Sequence, residues 1–286
     1  MKEIAKRQNE ELYLKLQFAA CKLFNRAELT GYLTWFFCMV SVVVGLLCGN
    51  DSHFIFAIII IVSEVTALFF DKYTAQTILN AADLRALFDH HVLNLPLPKT
   101  EKPKEELLEI AENLKQNHYK EYSYQVSHTG KQQPPGVKDW YDTEVDVPEG
   151  SCAAYYVFKN NQWWDKKMVL FKTVISIALL IAVILVFIFI FLNHSFSDSL
   201  WFVVGSLALT VKIVERIVIS TRYHDASVKI DTLLNIFDTL GKDKAIPEIQ
   251  NAITARRRLP VVHINLFHNV KAFAYHLLFG KSNQKM

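Results

Sequence analysis

The chain lacks the short signatures that mark many enzymes. It has no Walker loop, no HExxH pair, no dinucleotide fingerprint and no Ser/His/Asp signature. Those motif-borne chemistries are therefore not predicted, although a triad assembled in space leaves no fixed spacing. The 4 cysteines, Cys21, Cys38, Cys48 and Cys152, also lack metal-ligand spacing. Burial as small apolar groups is favoured over a disulfide or metal role. Asp89, His90 and His91 have no third ligand at a recognisable interval, so a surface helix is favoured there over a metal site. No metal and no cofactor is predicted. The net charge of +3 is too small to argue for a nucleic-acid polymer as partner. Met1–Asn9 is charged and leads into an amphipathic stretch, which predicts no cleavable signal peptide.

What the chain does have is apolar sequence in long runs. Hydrophobic residues make up 51%, and they are concentrated. Gly31–Gly49 and Phe54–Tyr73 are separated by Asn50-Asp51-Ser52, and Met168–Leu192 and Leu200–Ser220 by a second short polar turn. A spanning helix needs about 20 apolar residues to cross about 30 Å of hydrocarbon. The fold class predicted is an all-α membrane protein with four transmembrane helices in two hairpins and a mostly helical cytoplasmic part. The divisions are 1–30, an amphipathic N-terminal helix; 31–73, the first hairpin; 74–167, a cytoplasmic region; 168–220, the second hairpin; and 221–286, C-terminal helices.

Neither hairpin turn contains Lys or Arg, whereas the opposite flanks carry Lys15, Lys22, Arg26, Lys72, Arg85, Lys166, Lys167, Arg216 and Arg222. The positive-inside rule then places both termini in the cytoplasm. Helical periodicity in Glu10–Leu29 predicts a helix docked on protein in preference to lipid. It also continues beyond two of the spans, through Asp71–Leu95 and from Ser199 to Gly241. Rods of this kind couple a soluble domain to the membrane. Glu105–Gln116 predicts a short helix, and the polar stretch His118–Pro148 a loop. Cys152–Phe158 reads as helix leading into the third span. Ile246–Arg258 and Phe267–Phe279 read as two amphipathic helices.

Ionisable residues inside a span are costly and are functional candidates. Glu64 and Lys212 lie at similar depths, about 15 and 18 Å from Phe54 and Leu200 at 1.5 Å per residue. They are expected to meet as a buried pair, with Glu215 and Arg216 one turn further on. A polar path or latch and a register-fixing structural pair are equally open readings. Trp163, Trp164, Lys166 and Lys167 form an interface anchor before the third span. Arg256, Arg257 and Arg258 are candidates for binding phosphates, against a solvated or lipid-facing surface.

Several stretches in order along the chain resemble a known family. They are Ile4-Ala5-Lys6-Arg7-Gln8-Asn9-Glu10, Leu16-Gln17-Phe18-Ala19-Ala20 with Leu23-Phe24, and Trp140-Tyr141 with Val145 and Val147-Pro148. Asn160-Asn161-Gln162-Trp163-Trp164-Asp165 and Ile246-Pro247-Glu248-Ile249-Gln250 follow. The pattern is similar to bacterial four-transmembrane pore-forming effectors associated with nucleotide second-messenger synthases. The resemblance implies a non-enzymatic role in cyclic-oligonucleotide antiphage defence at the inner membrane. A partner synthase would supply the ligand. It transfers no ligand-binding residues. Four helices cannot enclose a wide aqueous pore and still pack, so a homo-oligomer in the lipid bilayer is expected. A membrane-anchored enzyme acting on nucleotide or lipid, and a constitutive channel or transporter, are the alternative readings.

Overall fold

Four helices of 37 to 43 residues dominate the computed structural model. It describes residues 1–47, 53–97, 99–129, 132, 136–144, 147–148, 150–193, 196–237 and 241–260. The elements in chain order are α1 (Lys2–Arg7), α2 (Glu11–Leu47), α3 (His53–Val92), α4 (Lys104–Asn117) and α5 (Tyr119–Ser127). They continue with α6 (Ser151–Asn193), α7 (Phe196–Asn235) and α8 (Lys242–Arg257). Among the described residues there is no strand, only one isolated bridge between Thr129 and Lys138.

The predicted amphipathic helix and first span are one continuous helix. Gly31 does not break α2, because a single glycine in a helix costs only about 1 kcal/mol. The first half of α2 sinks into protein: Leu16, Phe18, Ala19 and Leu23 are buried in a shared core. That core also holds Leu84, Leu87 and Phe88 of α3, Leu107 and Ala111 of α4, and Ala153 and Phe158 of α6. Ile230 of α7 and Ile249 and Ile253 of α8 complete it. These residues form a helical head at the end of the molecule opposite the hairpin turns.

Three stretches are apolar enough to cross a membrane, in Glu11–Leu47, Phe54–Val92 and Thr173–Asn193. Their apolar side chains point outward, as with Ile61, Val65 and Leu68 of α3 and Ile181, Leu185 and Phe189 of α6. In water this pattern is inverted; against lipid it is the expected one. The fourth long helix, α7, is less apolar because Lys212, Glu215 and Arg216 interrupt it.

Three boundaries differ from the sequence reading. Helix α3 ends at Val92 and not at Leu95, because Asn94 takes a left-handed φ of 53° that ends a helix. Gly241, with φ 85°, precedes α8 instead of closing the fourth long helix, which stops at Asn235. The stretch expected as a loop after His118 contains α5, whose Tyr122 is buried against Phe18 in an edge-to-face contact. Its polar composition hid a helix held by Tyr122 in the core and by the Lys22–Glu121 ion pair. Phe267–Phe279 lies outside the described residues, as does Cys48. Cys38 is buried, and Cys21 and Cys152 are partly buried.

Candidate functional site

Helices α2 and α3 pack antiparallel in one register over much of their length. Thr30 and Thr74 share a 2.7 Å hydroxyl hydrogen bond, and Phe37 stacks on Phe70 with ring centroids 5.9 Å apart. Nearer the hairpin turn, Ser41 Oγ donates to Glu64 Oε1 at 3.5 Å. The buried face of α2 is made of Thr30, Thr34, Cys38, Ser41 and Gly45. Residues this small let helix backbones approach closely.

Helix α7 crosses α2 on that face. A Cβ at Gly205 would lie 2.6 Å from the Ser41 carbonyl oxygen and 3.1 Å from Gly45 Cα. A Cβ at Gly45 would lie 2.9 Å from the Trp201 carbonyl oxygen. The two helices touch backbone to backbone here, a contact only glycine allows without displacement.

Lys212 pairs with Asp71, not with Glu64. Its ammonium donates to Asp71 Oδ1 and, at 3.3 Å, to Glu215 Oε2. The expected Glu64–Lys212 pair is corrected by the register of the crossing. Ser41 meets both Glu64 and Gly205, so Glu64 is level with Gly205 on α7. Lys212 lies seven residues beyond Gly205, about 10 Å further toward the head at 1.5 Å per residue. Asp71 lies the same seven residues beyond Glu64 and so faces Lys212. Starting α7 at Leu200 misjudged its depth, because it starts at Phe196. The guanidinium of Arg216 lies over the Trp35 ring, 5.8 Å from its centroid. A cation held by an aromatic face in apolar surroundings is stabilised without a carboxylate.

In the head, the arginine triplet is taken up by internal partners and does not form an open phosphate clamp. Arg256 is buried; its Nη1 donates to Gln162 Oε1 and, at 3.4 Å, to Ser227 Oγ, while the group packs over Tyr223. Arg257 Nη1 donates to Asp89 Oδ2 at 2.5 Å. Arg258 donates from Nε and Nη2 to Asp83 Oδ1 at 2.9 and 2.7 Å, and from Nη2 to the Lys99 carbonyl. The triplet clasps α8 to α3, α6 and α7. Its carboxylates, Asp83 and Asp89, are each 1% exposed. Gln162 ties α6 to α7, donating to the Ser227 carbonyl at 2.7 Å and to Asp231 Oδ1 at 3.0 Å.

Asp89 is the hub of the clasp. It also accepts from the Tyr141 hydroxyl and lies 3.5 Å from Arg85 Nε. Burial, and next the Asp89 charge, push the Tyr141 phenol far above its ordinary range. Arg85 donates to Gln17 Oε1 and lies over Trp140, 4.5 Å from the ring centroid. Asp89 is therefore part of a buried network, not of a surface helix. His91 stacks on Tyr13 at 5.5 Å, and burial, then His90, lowers its pKa. Among the described residues no group of His, Cys, Asp and Glu side chains could hold a metal ion. Trp163, Trp164, Lys166 and Lys167 fall within α6, but their side chains lie outside the described residues.

Long apolar helices, a polar seam between them and a helical head fit a multi-pass membrane protein. The model of one protein family, the SMODS-associating 4TM effector domain, matches residues 2–270. The chain belongs to this family. Membership in the SMODS-associating 4TM effector family, covering nearly the whole chain, bears out the resemblance read from the sequence. The family is associated with SMODS-type nucleotide synthases, and it implies a membrane effector in nucleotide second-messenger defence. No curated protein and no solved structure matches the chain.

The sequence reading missed Asp71, Asp83, Asp89, Gln17 and Gln162 as partners, and Gly45 and Gly205 as a crossing. A signal for Asp71 existed in the two-turn interval it shares with Lys212 relative to Glu64 and Gly205. The clasp partners left none, since Asp83 and Arg258 are 175 residues apart in sequence.

Proposed function

We propose that this 4TM effector permeabilises the bacterial inner membrane when a cytoplasmic nucleotide signal reaches its head. The observation that carries the reading is continuity. Helices α3 and α7 each run 40 residues, from the hairpin turns to the buried core of the head. A helix without a break transmits displacement from one end to the other. In this reading α7 is the fourth span, with Lys212 turned to Asp71 and Arg216 to Trp35 while Glu215 is exposed. Lys/Arg placement puts the head in the cytoplasm and the hairpin turns outside.

The closed protomer holds its polar seam shut with the Lys212–Asp71 pair and the Gly45–Gly205 crossing. Opening requires several copies, because four helices alone leave no wide aqueous path. The trigger is a cyclic oligonucleotide made by a SMODS-type synthase. It must bind the open arrangement better than the closed one, since equal affinity shifts nothing. The role is non-enzymatic. With the arginine triplet engaged in the clasp, trigger binding at those cations would require the clasp to open.

The test is release of an entrapped dye from liposomes carrying the full chain, with a panel of cyclic di- and trinucleotides. Release with at least one nucleotide, and growth arrest only beside an active synthase, is expected. Release that ignores every nucleotide would point to a constitutive channel. Turnover of a nucleotide or lipid without release would point to an enzyme.

A further inference from the structure

Residues 34–47 of α2, 54–70 of α3, 173–193 of α6 and 199–211 of α7 carry one charged side chain, Glu64. Among the described residues its carboxylate has one polar contact, the long 3.5 Å bond from Ser41. Among the described residues no Lys or Arg lies within ion-pair distance of it. The nearest basic residue along the seam, Lys212, is two turns away and is already engaged by Asp71 and Glu215. Glu64 is half-buried, and the hydroxyl residues Ser41, Ser63 and Ser206 beside its level are all buried.

A carboxylate in apolar surroundings is costly unless a positive charge reaches it. The chain withholds that charge. Counted over the seam, Glu64, Asp71 and Glu215 outnumber Lys212 and Arg216. The compensating charge, a proton or a metal cation, therefore comes from solution. Within one protomer, one carboxylate with neutral hydroxyl oxygens balances a single positive charge.

We infer that Glu64 is a coordination step for a monovalent cation and sets the charge selectivity of the path that opens along this seam. The inference rests on the permeabilising function proposed above. Copies of Glu64 in an oligomer would form a ring of carboxylates, the arrangement by which cation channels reject anions. The Ser41 hydroxyl supplies a neutral oxygen at the same level.

Two measurements test it. The first is the reversal potential across liposomes holding the full chain in a KCl gradient, triggered by the cyclic di- and trinucleotide panel. Wild type should prefer potassium to chloride. Glu64→Asp should keep that preference, Glu64→Gln should reduce it roughly tenfold, and Glu64→Lys should reverse it. Unchanged selectivity in a leaking Glu64→Gln protein overturns the inference and leaves the proposed function standing. The second needs no leakage. An apolar carbodiimide modifies membrane-embedded carboxyl groups, and mass spectrometry reads modification at Glu64. Potassium or sodium chloride should slow it several-fold relative to N-methylglucamine chloride at equal ionic strength. An equal rate in all three salts overturns the inference. Wild type that leaks with no nucleotide of the panel, yet shows cation-protected Glu64, would count against the proposed trigger and for the site.

Discussion

Replacing Gly205 with alanine should push α7 off α2. The added Cβ would stand 2.6 Å from the Ser41 carbonyl oxygen and 3.1 Å from Gly45 Cα, both backbone atoms that cannot rotate away. Ordinary contact begins at 3.4 Å, so the helices must separate by about 0.8 Å at the crossing. Overpacking of this kind costs about 1–3 kcal/mol. Gly45→Ala meets the Trp201 carbonyl at 2.9 Å, in the same contact, and should cost somewhat less. Once one methyl has separated the helices, the second finds room, so the double variant should cost less than the sum. The assay is the midpoint of thermal unfolding in nanodiscs, with Leu207→Ala as reference, because Leu207 is 56% exposed on the apolar surface. The reasoning is refuted if Gly205→Ala shifts the midpoint no more than Leu207→Ala, or if the two glycine substitutions add strictly.

Asp89→Ala would leave the Arg257 guanidinium and the Tyr141 hydroxyl without their shared acceptor, at a cost of about 3–5 kcal/mol; tryptic cleavage after Arg257 should accelerate, and Asp89→Asn should accelerate it less. Lys212→Met should strand Asp71 and lower the yield of folded protein in membranes, while adding Asp71→Asn should restore much of it; absence of rescue would show that the pair does not act as a unit. External labelling of sealed cells should reach cysteine at Asp51 or Ser197 but not at Gln132, and labelling of Gln132→Cys would reverse the proposed orientation.

Much of the helical layout was legible because apolar period and length are local properties. The spans within α2, α3 and α6, the short helix α4 and the helix entering α6 at Ser151 were all readable in this way. Partner choice was not. Lys212 was given Glu64 because depth was counted from an assumed helix start, and an error of a few residues moves a side chain by more than a turn. The arginine triplet read as a cation surface because Asp83 and Asp89 lie far away in sequence. Only the tertiary packing of α8 on α3 brings them together. Helix α5 was hidden for a similar reason: the contact that holds Tyr122, the Phe18 ring, lies on another helix.

The central claim is that α3 and α7 carry a signal from the head to the membrane as rigid levers. Inserting Gly-Gly-Ser after Tyr73, or after Tyr223, breaks one lever while leaving the apolar stretches intact. The direct measurement is nucleotide-triggered dye release from liposomes bearing each insertion variant, with membrane insertion checked separately. Loss of triggered release from correctly inserted protein is the predicted result. Full triggered release from both variants would contradict the lever account.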